Sequence, residues 1–285
     1  MYEPAKLTKS NQEQAVAAWV NYLNQLRLDN LLSTLNQQDM NLADALASVT
    51  AAVRKIDLEV VTTNRGGVKG MHGFIAEVAE VGVGNARRQI FGENPLYQWV
   101  NDNGPVDLMR SGVAIQQKFF AAGNRFGLGA IADHLQKYPD FVENGGKYQI
   151  PSDHFEVIQK LHAMPREEAG KLLTRTGDGP SYGDWTRVQS FFEERSLGVE
   201  SLEPSHLKYS EVQMGAYGAT LQSETDSLRS TDQSLRDDAY QASDPTLREG
   251  TKATLAAAAI EGGTALALAV IAKRRAGKPL KDFTR

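Results

Sequence analysis

Four residues, Glu77, Asp107, Gln116 and Lys118, have side chains and spacing suited to joint chemistry. In Val106-Asp107-Leu108-Met109-Arg110, Val106 and Leu108 fall on one face of a strand and Asp107 on the other, because strand side chains alternate. Ser111-Gly112 reads as the turn of a hairpin. On the return segment Val113, Ile115 and Phe119 share a face, and Gln116 and Lys118 share the opposite one. An acid, an amide and an ammonium therefore converge at the rim of a sheet. The fourth group comes from a helix, in which Phe74, Val78 and Val81 form an apolar stripe with Glu77 at its edge. Such a carboxylate is costly unless a cation meets it. Glu80 falls further round, towards solvent, and is the alternative acid of this helix.

The constellation resembles the PD-(D/E)XK nuclease superfamily in the variant where glutamine replaces the second acid. Pro105-Val106-Asp107 stands where that family has Pro-Asp, with one residue inserted. Gln116-Gln117-Lys118 stands for its (E/Q)-x-K triplet, and Gly73 to Glu77 is similar to its first-helix glutamate motif. The resemblance runs from His72 to Phe119. It implies phosphodiester hydrolysis assisted by Mg2+ or Mn2+, since hard oxygen ligands suit those ions. In that family pattern Asp107 is the central ligand, the Gln117 carbonyl and the Gln116 side chain add oxygens, and Glu77 ligates directly or through water. Lys118 then orients the attacking water and offsets phosphate charge. Glutamine at 116 in place of glutamate removes one negative charge and implies weaker metal affinity.

Charge points to the same region. The chain carries a formal net charge of −4, which argues against indiscriminate nucleic-acid binding. Between Val60 and Ala130, however, seven cations face five acids, whereas from Arg195 to Gly250 five cations face ten acids. A phosphate partner belongs with the first region, and Arg65, Lys69, Arg87, Arg88 and Arg125 are its candidate nucleic-acid contacts. DNA is expected over RNA because the resembled superfamily mostly cuts DNA; nothing in the sequence reads a 2′-hydroxyl.

The elements that position these groups follow from pattern. At 285 residues with 41% hydrophobic content the chain is long enough for one large or two modest domains. Residues 1–61 read as an N-terminal helical hairpin: Ser10 with Glu13 forms a capping box, and Asn36 to Asn41 breaks the pattern before a second helix. Thr62 to Gly70 is a glycine-rich linker without a P-loop ending. Strands are expected at Tyr97–Val100 and Lys147–Ile150, and helices at Gly127–Lys137 and from Ser152 through Leu161. Residues 62–165 thus read as an α/β, restriction-endonuclease-like mixed-sheet core, and 166–285 as a C-terminal helical region with a loop at Gly177–Gly183.

The five histidines lack metal-ligand spacing, and His72, beside the glutamate helix, is the one to test. With no cysteine, thiolate sites and disulfides are excluded. No signal peptide is visible, and a cytoplasmic protein, or an effector acting in another cell's cytoplasm, is expected. Nuclease cores joined to helical extensions look like bacterial toxins or antiphage defence nucleases, an analogy only. Terminal helices of this kind would serve homo-oligomer contacts or an immunity or defence partner. The small-residue run Thr251–Ala272, followed by Lys273-Arg274-Arg275, supplies a rival: a membrane-acting or assembly protein whose core is a scaffold. Glu261 near its centre opposes insertion, so a tightly packed soluble helix is preferred.

Overall fold

A computed structural model of the chain describes residues 4–102, 104–120, 126–172, 179–195 and 197–244, with side chains described from Glu13 onward and not at Val68 or Lys69. The expected helix at 251–272 lies outside these residues. The chain divides into a larger unit, Gln37–Ser234, and a smaller one, Met1–Asn36 with Leu235–Arg285. In the smaller unit Trp19, Tyr22, Leu26, Leu28 and Leu32 are exposed along a helix.

Helix α1 runs unbroken from Pro4 to Lys55, so the expected hairpin break at Asn36–Asn41 is absent. No glycine or proline occurs between Ala5 and Arg65, and polarity alone does not stop a helix. The amides that suggested a break are partnered instead, Gln38 Nε2 donating to the Ile90 carbonyl at 3.3 Å. Beyond Lys55 the helix widens into a π-helical turn, Ile56–Val61.

Helix α2 (Gly67–Gln89) is followed by strands β1 (Tyr97–Trp99), β2 (Leu108–Arg110) and β3 (Val113–Gln117). Then come helix α3 (Leu128–Lys137), strand β4 (Lys147–Ile150), and helices α4 (Ser152–Ala163), α5 (Arg166–Ala169) and α6 (Tyr182–Arg195). Strand β5 (Leu202–Pro204) and helix α7 (Tyr217–Ser243) complete the described elements. The strands form one sheet in the order β1-β2-β3-β4-β5. The first two pairings are antiparallel and the last two parallel, so the protein is α/β with a mixed sheet. Ser111 (φ 50) and Gly112 (φ 85) make the two-residue primed turn that suits a hairpin's twist. The sheet's fifth strand comes from beyond residue 165, so the sheet is longer in sequence than the expected 62–165 core.

Pleating separates two faces. Tyr148, Ile150 and Leu202 pack with Ile131, Ile158, Leu161, Val188 and Phe192 of α3, α4 and α6 in one apolar core. The other face meets α2, which is also covered from outside by α1. A Cβ on Gly82 would strike the Ala52 Cβ, and one on Gly84 would lie 2.7 Å from the Tyr97 ring. With both sides covered, Glu80 is fully buried and not solvent-facing as its helical position suggested. Its carboxylate is met by four donors. Ser205 Oγ (2.6 Å) and His206 N (3.0 Å) donate to Oε2; Gln149 Nε2 (3.0 Å) and His206 Nδ1 (2.6 Å) donate to Oε1. Arg110 grips Glu203 with both terminal nitrogens, at 2.8 and 2.6 Å, and ties β2 to β5.

Two stability outcomes follow. Gly82→Ala should cost about 1–3 kcal/mol through overpacking, although alanine is the better helix former; unchanged urea unfolding would contradict the close α1–α2 approach. Glu80→Ala removes the acceptor of four donors, leaves the buried Ser205 hydroxyl without it, and should cost about 1–3 kcal/mol, read in the same assay.

Candidate active site

Asp107 lies just before β2, where its N–H donates to the Ile115 carbonyl at 2.9 Å and its carbonyl accepts from Val100 N at 2.8 Å. Ladder bonds on both sides fix the direction of the carboxylate. Oδ2 accepts from the Gln117 backbone N–H at 2.8 Å and from the Gln116 side-chain amide. Gln116 thus reaches Asp107 through its nitrogen. Gln117 turns its side chain to the opposite face, donating to Gln149 Oε1 at 2.9 Å. Lys118 follows directly, its N–H donating to the Gln149 carbonyl at 2.8 Å.

Glu77, one turn before Glu80 on α2, is partly buried, and its Oε2 accepts from Trp99 Nε1 at 2.8 Å. Burial pushes its carboxyl up to about 8, with the charge of Asp107 adding to the effect. The Trp99 N–H, Arg65 and Lys118 pull it back. Asp107 is raised too, again by burial first, against Lys118 and the Gln117 and Gln116 donors. Lys118 is displaced the other way: burial lowers its ammonium, and Asp107 and Glu77 oppose that. Glu77 and Lys118 each lie in the field of the other two. The structure therefore sets Gln116 and the Gln117 N–H on Asp107, with Glu77 and Lys118 within electrostatic reach of that carboxylate.

Among the described residues no group of three or more His, Cys, Asp or Glu side chains could hold a metal ion. The donors of this pocket are two carboxylates and amide oxygens. Asp107 Oδ1 and Glu77 Oε1 accept no hydrogen bond among the described residues. Two carboxyl groups, both raised first by burial and each with an oxygen free among the described residues, suit a hard divalent cation.

The expected phosphate contacts divide. Arg65 is at the pocket, its guanidinium 4.2 Å from the Phe74 ring centre and 5.2 Å from that of Trp99. Arg87 is clamped by Glu224 at 2.8 and 2.7 Å; Arg88 pairs with Glu93 at 2.7 Å and donates to the Asn94 carbonyl. Both are occupied internally. The Lys69 side chain and Arg125 lie outside the described residues. His72 donates from Nε2 to the Phe119 carbonyl at 2.8 Å and so pins the segment after Lys118 to α2.

Trp99, His134 and Lys55 join the site without any local sequence signal. His134 shares a 2.7 Å hydrogen bond with the Tyr148 hydroxyl. Burial, then the charge of Lys118, pushes its imidazole down to about 4 against the Pro105 carbonyl, so it is neutral at pH 7.

The Glu77 shift has a definite sign. Its carboxyl titrates near 4.5 when unperturbed and near 8 when folded. The folded chain holds the proton more tightly, so stability declines as pH rises between those values. In EDTA, Glu77→Gln should flatten most of that decline, leaving the part due to Asp107, and should gain on the order of a few kcal/mol at alkaline pH. Thermal melts across this pH range check it, and parallel wild-type and variant curves would refute it.

Comparison with protein-family models, with curated proteins and with solved structures returns no match to this chain.

Proposed function

We propose that the chain is a metal-dependent nuclease that hydrolyses phosphodiester bonds, of DNA in preference to RNA. The reading rests on one observation: Glu77 on a helix and Asp107 and Lys118 at the ends of two neighbouring strands are all partly buried, and Asp107 and Lys118 shift the protonation of Glu77. The order helix, three antiparallel strands, helix, parallel strand supports it as well, because that is what a restriction-endonuclease-like core requires.

Asp107 Oδ1 and Glu77 Oε1 would hold Mg2+ or Mn2+ with the Gln117 carbonyl. The bound ion supplies charge stabilisation for the phosphorane and a lowered pKa for the attacking water. Gln116 and the Gln117 N–H hold Asp107 Oδ2 in place, so the free oxygen is aimed without further ordering. Lys118 lies in the field of both acids. Its lowered pKa brings it nearer the range of a proton acceptor, and its ammonium form offsets charge on the phosphate. Neutral His134 adds no charge to compete for the substrate.

Plasmid cleavage with Mg2+, with Mn2+ and with EDTA tests the proposal. Cleavage should require the ion, and Asp107→Asn and Lys118→Ala should each lose about 10²–10⁴-fold in rate. A Lys118→Ala protein with full activity would remove the assignment, and preferential cleavage of an RNA arm would reverse the substrate preference.

A further inference from the structure

Next to the acids lies a cluster that the hydrolytic step does not use. Lys55 closes α1, with its Nζ 4.6 Å from the centre of the Trp99 ring. Arg65 lies over the rings of Phe74 and Trp99 and donates to Asn101 Oδ1. Neither cation forms an ion pair among the described residues. Both are instead held on aromatic rings, and one of those rings donates its N–H to Glu77.

The backbone is shaped to bring them together. Lys55 and Arg65 flank the π-helical turn Ile56–Val61. It is closed by wide bonds from Thr62 N to the Asp57 carbonyl and from Arg65 N to the Val60 carbonyl, both 2.9 Å. Isolated π turns cost regularity and recur at functional sites. Gly66 (φ 76) then reverses the chain, and a Cβ there would lie 3.0 Å from Phe74 Cε2 and 2.9 Å from the Gly70 carbonyl carbon. Only glycine lets Arg65 fold back onto Phe74 at this distance. Beside Lys55 and Trp99 a cavity of about 230 Å³ opens between α1 and α2, lined also by Ser48, Val81 and Asn85.

We infer that Lys55, Arg65, Phe74 and Trp99 form a binding subsite for an unpaired nucleic-acid strand, holding the phosphates next to the one that is hydrolysed. Cations without acid partners are available to phosphate oxygens. Rings and a stacked guanidinium plane offer faces to bases without reading their sequence. The Trp99–Glu77 hydrogen bond sets the subsite beside the acids. The inference rests on the nuclease reading for its substrate, but its test does not depend on cleavage.

Binding of a fluorescein-labelled single-stranded oligonucleotide to the full chain, in EDTA, is measured by anisotropy as a function of salt. Lys55→Ala/Arg65→Ala should bind tenfold or more weakly, with a salt slope shallower by about 1.4, the value for two phosphate contacts on a single strand. Arg229→Ala, on α7, should bind as wild type. Thermal melts run in parallel, and Lys55→Gln/Arg65→Gln replaces the alanine pair if that protein does not fold. Unchanged binding by a folded double variant overturns the subsite, and equal loss on duplex and single strand overturns the assignment to an unpaired strand. A wild type that binds but never cleaves with Mg2+ sinks the hydrolytic reading alone. Cleavage at unchanged KM in the double variant sinks the subsite alone.

Discussion

The carboxylate of Glu80 is fully buried yet lacks nothing: every strong acceptor position it offers is met by a donor from another part of the chain. A polar group in the interior is tolerated only when hydrogen bonds replace its lost hydration. That requirement locks α2 to β4 through Gln149 and to the segment after β5 through Ser205 and His206. Since Glu77 sits one turn earlier on the same helix, its position is inherited from the buried Glu80. Gln149 also donates to Glu203, which Arg110 holds in turn. The polar ties under the sheet thus run as one connected network from β2 to β5.

The neighbouring pocket is built on the opposite principle. Glu80 has a full set of partners, whereas Glu77 and Asp107 each keep one oxygen without a donor among the described residues, and burial raises both while lowering Lys118. The fold bears that electrostatic strain locally and offsets it by satisfying everything around it: Trp99 on Glu77, the Gln117 N–H on Asp107, His72 on Phe119. Strain confined to a pocket with rigid surroundings is what a pre-organised ion or phosphate site requires.

Much of this was readable from local pattern. The hairpin follows from alternation and from Ser111-Gly112, and β4 coincides with the short strand expected at Lys147–Ile150. What escaped was set by distant partners. A helical wheel assumes one buried face, so it placed Glu80 outside; α2 is covered on both sides, and its glycines at 82 and 84 are the local trace of that. Strand β5 has three residues, one of them proline, too few for any periodicity. Arg87 looked free for phosphate because its partner, Glu224, is 137 residues away. The polar stretch at Asn36–Asn41 looked like a break, but without glycine or proline the helix continues through it. Trp99, by contrast, carried no sign of its role, since only the tertiary fold brings its indole to Glu77.

The donors that hold Glu80 come from Ser205 and His206, 125 and 126 residues further along the chain. A polypeptide emerging from the ribosome therefore displays the acidic helix and the hairpin long before the residues that lock them in register. Such remote pairings form late, because their loop closure must be met before they stabilise anything. The cleft consequently matures only when synthesis has passed its 206th residue.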